Sequence, residues 1–284
     1  MEILGTGFIA RHLSEAFGDR YPEVTAIAAG VSGTGVSGTG GKTDAEVTAN
    51  FDREASLVYD VIRKCEAAGR TVIFFSTASH AMYGGEDSFG VEDGPVYPPL
   101  VYGRHKLSLE AVLNASNVDW LALRLAHVVG NGQPPHLMWP ALTAQVLSGK
   151  VTLYRDARRD LLDVRDMIRA IDGILASGIR RQVVNVASGV QHRVEQVVDG
   201  IEVRLGLEAE RTIVDMPAAR VMVSTAKLRS LVPDWESVDF GQQYLTTLLD
   251  RYVDFYAAQG YGRFVSAPPH GAPATLAART ENGR

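Results

Sequence analysis

The sequence has 284 residues, of which 46% are hydrophobic and 21% charged, a composition typical of a globular protein with one large or two closely joined domains. Its net charge of −5 and the lack of a long basic run argue against a nucleic-acid partner, and no apolar stretch is long enough to cross a membrane. A single cysteine, Cys65, and seven histidines without metal-ligand spacing argue against an internal disulfide and a metal site. Because no signal-peptide pattern precedes the first motif, we expect a protein of a reducing compartment, the cytoplasm.

A glycine-containing turn joins the first predicted strand, residues 1–4, to the first predicted helix, residues 11–17. The turn reads Gly5-Thr6-Gly7-Phe8-Ile9-Ala10. Strand, G-x-G-x-x-A and helix, in this order, form the context that a dinucleotide-binding loop requires. We expect the two glycines to make a tight turn and to let the backbone approach a pyrophosphate at the helix N-terminus.

The next predicted strand, residues 24–29, is followed by a loop in which the sequence Ser-Gly-Thr-Gly occurs twice. The run Gly41-Lys42-Thr43 at the end of this loop suggests a phosphate-binding P-loop. That motif needs a glycine at position 36, where the chain has Val36. We therefore interpret residues 32–43 as a flexible loop.

A predicted helix, residues 53–68, leads to a strand at residues 71–75 that is apolar throughout, as strands of buried parallel sheets are. Four small residues follow this strand directly: Ser76-Thr77-Ala78-Ser79. Open α/β sheets bind ligands beyond the carboxyl ends of their strands. We therefore expect the hydroxyl groups of this segment to lie at a ligand site.

Tyr102 and Lys106 are four residues apart in a segment of good helix formers, so their side chains are expected on one face of a helix. A nearby cation favours the phenolate and lowers the pKa of a tyrosine. Bringing that pKa from about 10 to about 7 takes roughly 4 kcal/mol. An isolated pair with this spacing more often belongs to an ordinary amphipathic helix, so its meaning depends on the other motifs.

The second half of the chain continues the alternation of strands and helices. A strand at residues 119–125 ends near Arg124 and His127, and a glycine- and proline-rich loop follows at residues 130–140. A charged loop at residues 156–160 precedes a strand at 161–163, with Asp163 as the expected cap of the helix at 167–176. Further strands are predicted at 151–153, 182–187 and 211–215, and further helices at 137–148, 193–205 and 242–258. From residue 266 onward the composition predicts a disordered tail.

Together these stretches resemble the extended short-chain dehydrogenase/reductase family, in its nucleotide-sugar branch, from Met1 to about Tyr256. The resemblance depends on the order of five motifs rather than on any one of them. They are the glycine turn, residues 76–79 with Tyr83-Gly84, Tyr102-Gly103-Arg104-His105-Lys106, Leu123-Arg124-Leu125-Ala126-His127-Val128-Val129-Gly130, and Arg159-Asp160-Leu161-Leu162-Asp163-Val164-Arg165-Asp166.

The resemblance implies a catalytic set of three residues. Tyr102 would exchange a proton with the reacting oxygen, Thr77 would hydrogen-bond that oxygen, and Lys106 would lower the pKa of Tyr102 and hold the nicotinamide ribose. Ser79 is a second candidate for substrate contact, because the segment before Tyr83 is two residues longer than usual. The implied cofactor-binding residues are Gly5, Thr6, Gly7, Phe8, Ile9, Ala28, Ala29, Gly30, Tyr102 and Lys106.

The resemblance also implies two substrate-binding residues. Arg159 would clamp the diphosphate of a nucleotide, which suits the planar fork of a guanidinium. His127 would lie near the nicotinamide or the sugar. The alternatives are a solvated surface charge for Arg159 and a structural histidine at the strand end for His127.

Two departures from the family pattern narrow the function. The 4,6-dehydratases carry an Asp-Glu pair where this chain has Ala78 and Ser79, so sugar dehydration is disfavoured. Between Ala10 and Ser76 we expect one strand where the family has three, and we expect its second and third strands to be absent. The acidic residue that grips the adenosine ribose in NAD-selective members then has no counterpart. We expect NADP or NAD as the cofactor, with NADPH slightly favoured.

We therefore predict an α/β fold with a reduced Rossmann-type parallel sheet and a small α/β substrate domain. Residues 1–130 form the dinucleotide-binding domain and residues 131–265 mainly the substrate-binding part, of which residues 160–187 partly return to the first sheet. The leading function is NAD(P)H-dependent reduction of a keto group on a nucleotide-activated (deoxy)sugar. The alternatives are a nucleotide-sugar epimerase with retained NAD and a non-catalytic cofactor-sensing or scaffold protein.

The resemblance further implies a homodimer built on the helices at residues 53–68 and 102–114. Several apolar side chains of these helices are candidates for the interface: Val58, Val61, Ile62, Cys65, Leu109, Val112 and Leu113. The alternative is that all of them face the sheet.

Overall fold

The computed structural model describes residues 1–31, 44–84, 88–215 and 221–259. The predicted loop with Lys42 and the predicted tail from residue 266 lie outside these residues. The helices are α1 Phe8–Phe17, α2 Asp44–Ala68, α3 His80–Tyr83, α4 Val101–Ala115, α5 Met138–Leu147, α6 Val164–Ala176, α7 Val194–Leu205, α8 Ala226–Leu231 and α9 Gln242–Ala258. The strands are β1 Glu2–Leu4, β2 Val24–Ile27, β3 Thr71–Thr77, β4 Ser88–Gly90, β5 Asp119–Leu125, β6 His127–Val129, β7 Lys150–Tyr154, β8 Arg158–Asp163, β9 Gln182–Val186, β10 Gln191–Arg193, β11 Glu210–Val214 and β12 Val221–Val223.

A parallel sheet of five strands forms the centre of the molecule, in the order β1-β2-β3-β5-β9. Its middle strand, β3, is buried along its whole length, which explains the continuous apolar sequence of residues 72–75. All five strands run in the same direction, so their carboxyl ends meet at one edge of the sheet. The predicted α/β fold with a Rossmann-type parallel sheet is confirmed.

Helices cover both faces of this sheet. On one face α1 and α6 pack against it through side chains such as Leu13 and Ile171, which are fully buried. On the other face α2 and α4 pack through Val58 and Leu113. Two apolar layers around one sheet leave its strand ends as the place where polar side chains converge.

The strand count agrees with the expected shortening. Among the described residues, β2 is the one strand between α1 and β3, and β1 pairs with no strand other than β2. β1 therefore lies at an edge of the sheet as described. Fewer strands are therefore described on the side of the sheet where the adenosine half of a dinucleotide would bind.

The apolar residues that we considered for a dimer interface face the sheet instead. Six of the seven are buried within the single chain, and Val112 packs partly buried against the same cluster. Because these side chains already contact the sheet, they provide no free apolar surface. The homodimer stays a prediction that these residues do not support.

A second apolar core lies around β7, which pairs with β11 in parallel. It is enclosed by α5, α7 and α9 and contains the buried side chains of Trp139 and Tyr256. Between the two cores, β6, β8 and β10 form a three-stranded sheet. A fourth sheet pairs β4 with β12 beside the carboxyl end of the central sheet.

Several local predictions were wrong in type or extent. Arg159 and Asp160 lie in strand β8, not in a charged loop, because β8 pairs on both sides with β6 and β10. The three-residue strands β4, β10 and β12 and the helices α3 and α8 were not predicted, since short elements show little periodicity. Helix α2 begins nine residues before the predicted start at Arg53. The predicted cap of α6 is confirmed: the Asp163 carboxylate accepts a hydrogen bond of 2.9 Å from Arg165 N.

No helix in the described ranges is both long and apolar enough to cross a membrane. The His, Cys, Asp and Glu side chains of the same ranges form no group that could hold a metal ion.

Candidate active site

The turn after β1 has the geometry of an anion-binding loop. Gly5 has φ +136°, and a Cβ on it would lie 2.5 Å from Ala28 O, so this position needs a glycine. Gly7 precedes α1 as its N-cap, and no atom lies within 4 Å of where its Cβ would be. No side chain caps this helix and its first turn holds no acidic residue. The backbone N–H groups and the helix dipole are therefore suited to a phosphate group.

The exit of β2 lies directly beside this turn. Ala28 N donates a hydrogen bond of 2.8 Å to Leu4 O, which continues the pairing of β1 and β2 past the last strand residue. The structure thus brings the predicted Ala28, Ala29 and Gly30 next to the predicted glycine turn. Gly30 lies farther in, against Glu54 and Lys106.

The end of β3 leads into α3 through a hydroxyl pair. Thr77 Oγ1 and Ser79 Oγ are 2.9 Å apart, and Ser79 Oγ also accepts a hydrogen bond from Ala81 N as the cap of α3. Ser79 therefore has a structural task that the sequence did not indicate. Thr77 is 7% exposed at the carboxyl end of its strand, where it lies opposite Leu125 of β5.

Gly103 allows helix α4 to rest directly on α3. A Cβ at this position would lie 1.6 Å from Ala81 O, closer than any side chain allows. Tyr102, its neighbour, is thereby brought beside the segment that carries Thr77 and Ser79. No described residue hydrogen-bonds the Tyr102 phenol, in contrast to Tyr83, whose hydroxyl contacts Asn185 and Arg124.

Lys106 lies one helical turn below Tyr102 and is buried, with Nζ 5.8 Å from the centroid of the Tyr102 ring. Its ammonium donates to Glu54 Oε1 at 2.5 Å and to Phe75 O at 3.1 Å. Glu54 comes from α2 and also contacts His105 Nε2 at 3.0 Å through its other oxygen. Although burial alone raises the pKa of Glu54, its contacts with His105 and Lys106 hold that pKa below the usual range.

The electrostatic effect on Tyr102 is opposite to the one expected from the sequence. Burial, and next the charge of Glu54, raise the pKa of the Tyr102 phenol well above its usual value. Lys106 does not offset this, because its ammonium is paired with Glu54 and the pair has no net charge. In the protein as described, Tyr102 is therefore a neutral phenol at physiological pH.

Three basic residues affect one another electrostatically: the predicted substrate contacts His127 and Arg159, and His80, which was not predicted. Burial, and next the charge of Arg159, lower the pKa of His80 to about 4. Burial lowers the pKa of His127 to about 3, with smaller effects from Arg159 and His80. Burial also lowers the pKa of Arg159. These mutual effects place the three side chains close together, and each of them is partly buried.

A buried network behind the site holds α4 to the sheet. Glu110, on the same face of α4 as Lys106, accepts hydrogen bonds from Ser76 Oγ at 2.5 Å and from the guanidinium of Arg124. Arg124 in turn donates to the Tyr83 hydroxyl at 2.9 Å. The network therefore links β3, β5, α3 and α4 around the predicted catalytic residues.

The sequence analysis did not identify three residues of the site. Glu110 stands four residues after Lys106, so helical spacing was available as a signal. His80 directly follows Ser79, so its position next to a predicted site residue could have indicated it. Glu54 lies 52 residues before Lys106 on a different helix, and nothing local to it indicates that pairing.

The residues present fit a nicotinamide dinucleotide at two places, its pyrophosphate and its nicotinamide ribose. The open side of Gly7 and the uncapped α1 would hold the pyrophosphate. Lys106 has three N–H donors, of which two have acceptors in the described residues, and the third is suited to a ribose hydroxyl. Arg11 of α1 extends toward the loop after β6, where its Nη2 donates to Gly132 O at 2.6 Å.

Comparison with known proteins identifies the family of the chain. The model of the NAD dependent epimerase/dehydratase family matches residues 27–187, more than half of the chain. No curated protein matches the sequence.

Solved structures share the fold at low sequence identity. RMD from Pseudomonas aeruginosa, solved with NADPH, is 17% identical with a TM-score of 0.70, over 90% of this chain and 99% of that one. UDP-glucose 4-epimerase from Thermus thermophilus, solved with NAD, is 21% identical with a TM-score of 0.69 over 90% and 99%. dTDP-glucose 4,6-dehydratase from Bacillus anthracis, also solved with NAD, is 19% identical with a TM-score of 0.68 over 91% and 81%.

Proposed function

The chain belongs to the NAD dependent epimerase/dehydratase family of enzymes, and from that premise we propose that it reduces a keto group on a nucleotide-activated (deoxy)sugar with NAD(P)H. One observation carries the choice of reduction: Tyr102 is a half-buried neutral phenol without a hydrogen-bond partner among the described residues. A neutral phenol can donate a proton to a developing alkoxide. A neutral phenol accepts a proton poorly, whereas oxidation of an alcohol first requires a group that accepts the hydroxyl proton.

The residues of the site have separate tasks in this proposal. When bound, the reduced nicotinamide supplies the hydride. Tyr102 donates the proton to the oxygen of the keto group, and the Thr77 hydroxyl hydrogen-bonds the same oxygen. The Lys106 ammonium holds the ribose, and Arg159 binds the diphosphate with the two uncharged imidazoles of His80 and His127 beside it.

The charges of this group suit an anion. His80 and His127 are uncharged imidazoles, and Arg159 brings a positive charge beside them. A diphosphate carries the opposite charge, and charge-assisted hydrogen bonds to it are among the stronger ones in proteins. UDP-glucuronic acid and UDP-glucose are bound by MoeE5, a structural neighbour at 21% and 22% identity.

The active site of this proposal lies between two parts of the chain. Residues 1–130 supply the cofactor side and residues 131–265 mainly the substrate side, while β9 joins the central sheet from the second part. Dehydration is disfavoured, because Ala78 is buried and Ser79 caps a helix, so neither position offers an acid or a base. Epimerisation with retained NAD uses the same residues and is the second candidate, since the family model is that of epimerases as well.

The test is to identify the cofactor and the reaction together. The purified protein is denatured and its supernatant analysed for NAD(H) and NADP(H), and the native protein is then assayed with nucleotide-linked keto sugars and either reduced cofactor. Exchangeable NADPH or NADH consumed in proportion to sugar reduced is the expected result. Tightly held NAD with epimerised product means an epimerase, and neither binding nor turnover means a non-catalytic protein.

A further inference from the structure

Glu54 is the one carboxylate that contacts Lys106 in the described part of the chain, and its side chain is 1% exposed. Its Oε1 accepts from Lys106 Nζ at 2.5 Å, and its Oε2 contacts His105 Nε2 at 3.0 Å and accepts from Val31 N at 3.2 Å. The carboxylate thus joins three elements: α2, which carries it, α4, and the exit of β2. A buried charge with three directed contacts has little freedom to move.

The chain leaves room for this carboxylate. A Cβ on Gly30 would lie 2.5 Å from Glu54 Oε1 and 3.0 Å from Lys106 Nζ. Gly30 has an ordinary backbone conformation, since it is not among the glycines of positive φ. Space for the Glu54–Lys106 pair, and not backbone freedom, is therefore what requires a glycine here.

The same contacts decide where the ammonium of Lys106 is directed. Glu54 and Phe75 O accept two of its three N–H groups. The third has no acceptor in the described residues, and Nζ lies 5.8 Å from the centre of the Tyr102 ring. Without the Glu54 oxygen, Phe75 O alone would hold the head group of this long and flexible side chain.

We propose that Glu54 is a positioning residue, which keeps Lys106 an ammonium and aims its third N–H at the cofactor beside Tyr102. The inference rests on the proposed function, because it assumes that a nicotinamide cofactor binds at Lys106. It assigns a task in binding to a side chain that lies outside the expected contact surface of the cofactor.

Among the charged groups around Lys106, Glu54 has the largest effect in keeping its ammonium protonated. Burial lowers the pKa of Lys106, while the charges of Glu54 and Glu110 act against this. Glu110 is already paired with Arg124, so its charge is largely balanced. The other titratable groups nearby are Tyr102 and His105, which lie on the same helix as Lys106. Removing the charge of Glu54 therefore lets Lys106 lose its proton at lower pH, and it also lowers the pKa of Tyr102.

A merely structural ion pair would behave differently. Its loss would destabilise the fold, most strongly at low pH where the ammonium keeps its proton, but it would change ligand affinity equally at every pH. The positioning role predicts opposite trends in Glu54→Gln. Its stability rises with pH, because the unpaired buried ammonium loses its proton, whereas its affinity for the cofactor falls for the same reason.

The experiment measures NADPH binding by fluorescence from pH 6 to pH 9 in wild type, Glu54→Gln and Asp52→Asn. Asp52 is exposed on the same helix, so its variant carries the same change of charge and serves as the control. We expect Glu54→Gln to bind as wild type does at the acidic end and about tenfold more weakly at the basic end, the loss for one charge-assisted hydrogen bond. Asp52→Asn should follow wild type throughout.

The outcomes separate this inference from the proposed function. If wild type binds neither NADPH nor NADH, the proposed function fails. If wild type binds and Glu54→Gln shows no loss, or a loss of equal size at every pH, Glu54 has no positioning role. Should Glu54→Gln not fold, Glu54→Asp keeps the charge but withdraws it from Lys106. In ¹⁵N-lysine spectra, Lys106 must then titrate at lower pH than in wild type, and an unchanged titration overturns the proposal.

Discussion

The guanidinium of Arg124 and the carboxylate of Glu110 form a two-point ion pair inside the protein, with Nε–Oε1 and Nη2–Oε2 distances of 3.0 and 2.7 Å. Both side chains are at most 5% exposed. Because either charge alone would be left buried, Arg124→Met and Glu110→Leu should each lower the free energy of unfolding by about 3–5 kcal/mol. The double variant should lose less than the two together, since it leaves no unpaired charge.

Urea unfolding measures this coupling. The exposed pair Lys150–Glu210, at 3.7 Å, is the control, and its removal should cost about 0–1 kcal/mol. Additive losses in the double variant of Arg124 and Glu110 would contradict the prediction.

Tyr102→Phe should lower turnover by about 10²–10⁴-fold, because it removes the phenolic proton that we assign to the reacting oxygen. Cofactor affinity should persist, since Lys106 and the glycine turn are unchanged. Steady-state kinetics and a binding titration measure the two effects. Tyr97→Phe is the matched control, because that side chain is 81% exposed. A Tyr102→Phe enzyme that keeps more than half of its activity would remove Tyr102 from the mechanism.

Arg159→Ala should weaken the binding of a nucleotide sugar by roughly 1.5–3 kcal/mol, the range for charge-assisted hydrogen bonds, and leave cofactor affinity unchanged. Arg158→Ala is its control, since neighbouring side chains of β8 point to opposite faces. Calorimetry with the nucleotide sugar and with the cofactor measures both. Equal affinity for the free sugar and its nucleotide-linked form would show that Arg159 clamps no diphosphate.

The free energy of unfolding should fall as the pH drops from about 6.5 toward 4. The pKa of His80 is lowered to about 4 and that of His127 to about 3, first by burial and then by the charge of Arg159. The unfolded chain binds protons at these histidines below about pH 6.5 while the folded protein does not, so their contribution increasingly opposes folding as the pH drops below that value. With allowance for partial exposure, we expect these two groups to contribute about 1–2 kcal/mol.

The acid limb is the fall in the free energy of unfolding between pH 6.5 and 4. The double variant His80→Asn with His127→Asn should make it less steep, as measured by urea unfolding at several pH values. His192 lies elsewhere in the fold, where its Nε2 contacts Phe240 O and burial also lowers its pKa. His192→Asn should therefore change the acid limb independently, and its effect should add to that of the pair. An unchanged slope between pH 6.5 and 4 in the variant of His80 and His127 would assign the acid sensitivity to other groups.

Cofactor affinity should be weak, with poor discrimination between NADH and NADPH and any bias toward NADPH. In the described residues one strand, β2, stands where the resembled family has three, so the neighbouring strand that would carry a ribose-reading carboxylate is not among them. Arg11, in the first helix after the glycine turn, is our candidate cation for a 2′-phosphate, so Arg11→Ala should reduce a bias toward NADPH. Steady-state kinetics with both cofactors measures this. A preference for NADH above about 100-fold, roughly 2.7 kcal/mol, would mean that a carboxylate reads the ribose after all.

Local sequence determined much of the fold. The strand β5 and the helix α9 have the predicted bounds, and the glycine turn precedes α1 as expected, because periodicity and turn residues act over a few positions. The one described strand between α1 and β3 agrees with the single strand that the sequence predicts there. Which motifs share a site followed from the rule that parallel strands end at one edge.

The tertiary structure alone decided the electrostatics of the site. From its spacing, Lys106 was expected to act on Tyr102, but it pairs with Glu54, which lies 52 residues away on another helix. That contact, together with burial, raises the pKa of Tyr102 instead of lowering it. Val58 and Leu113, considered for a dimer interface, face the sheet for a related reason: an apolar pattern predicts burial but not the surface that provides it. Charge and burial depend on everything packed around a group, and packing joins residues that the sequence keeps far apart.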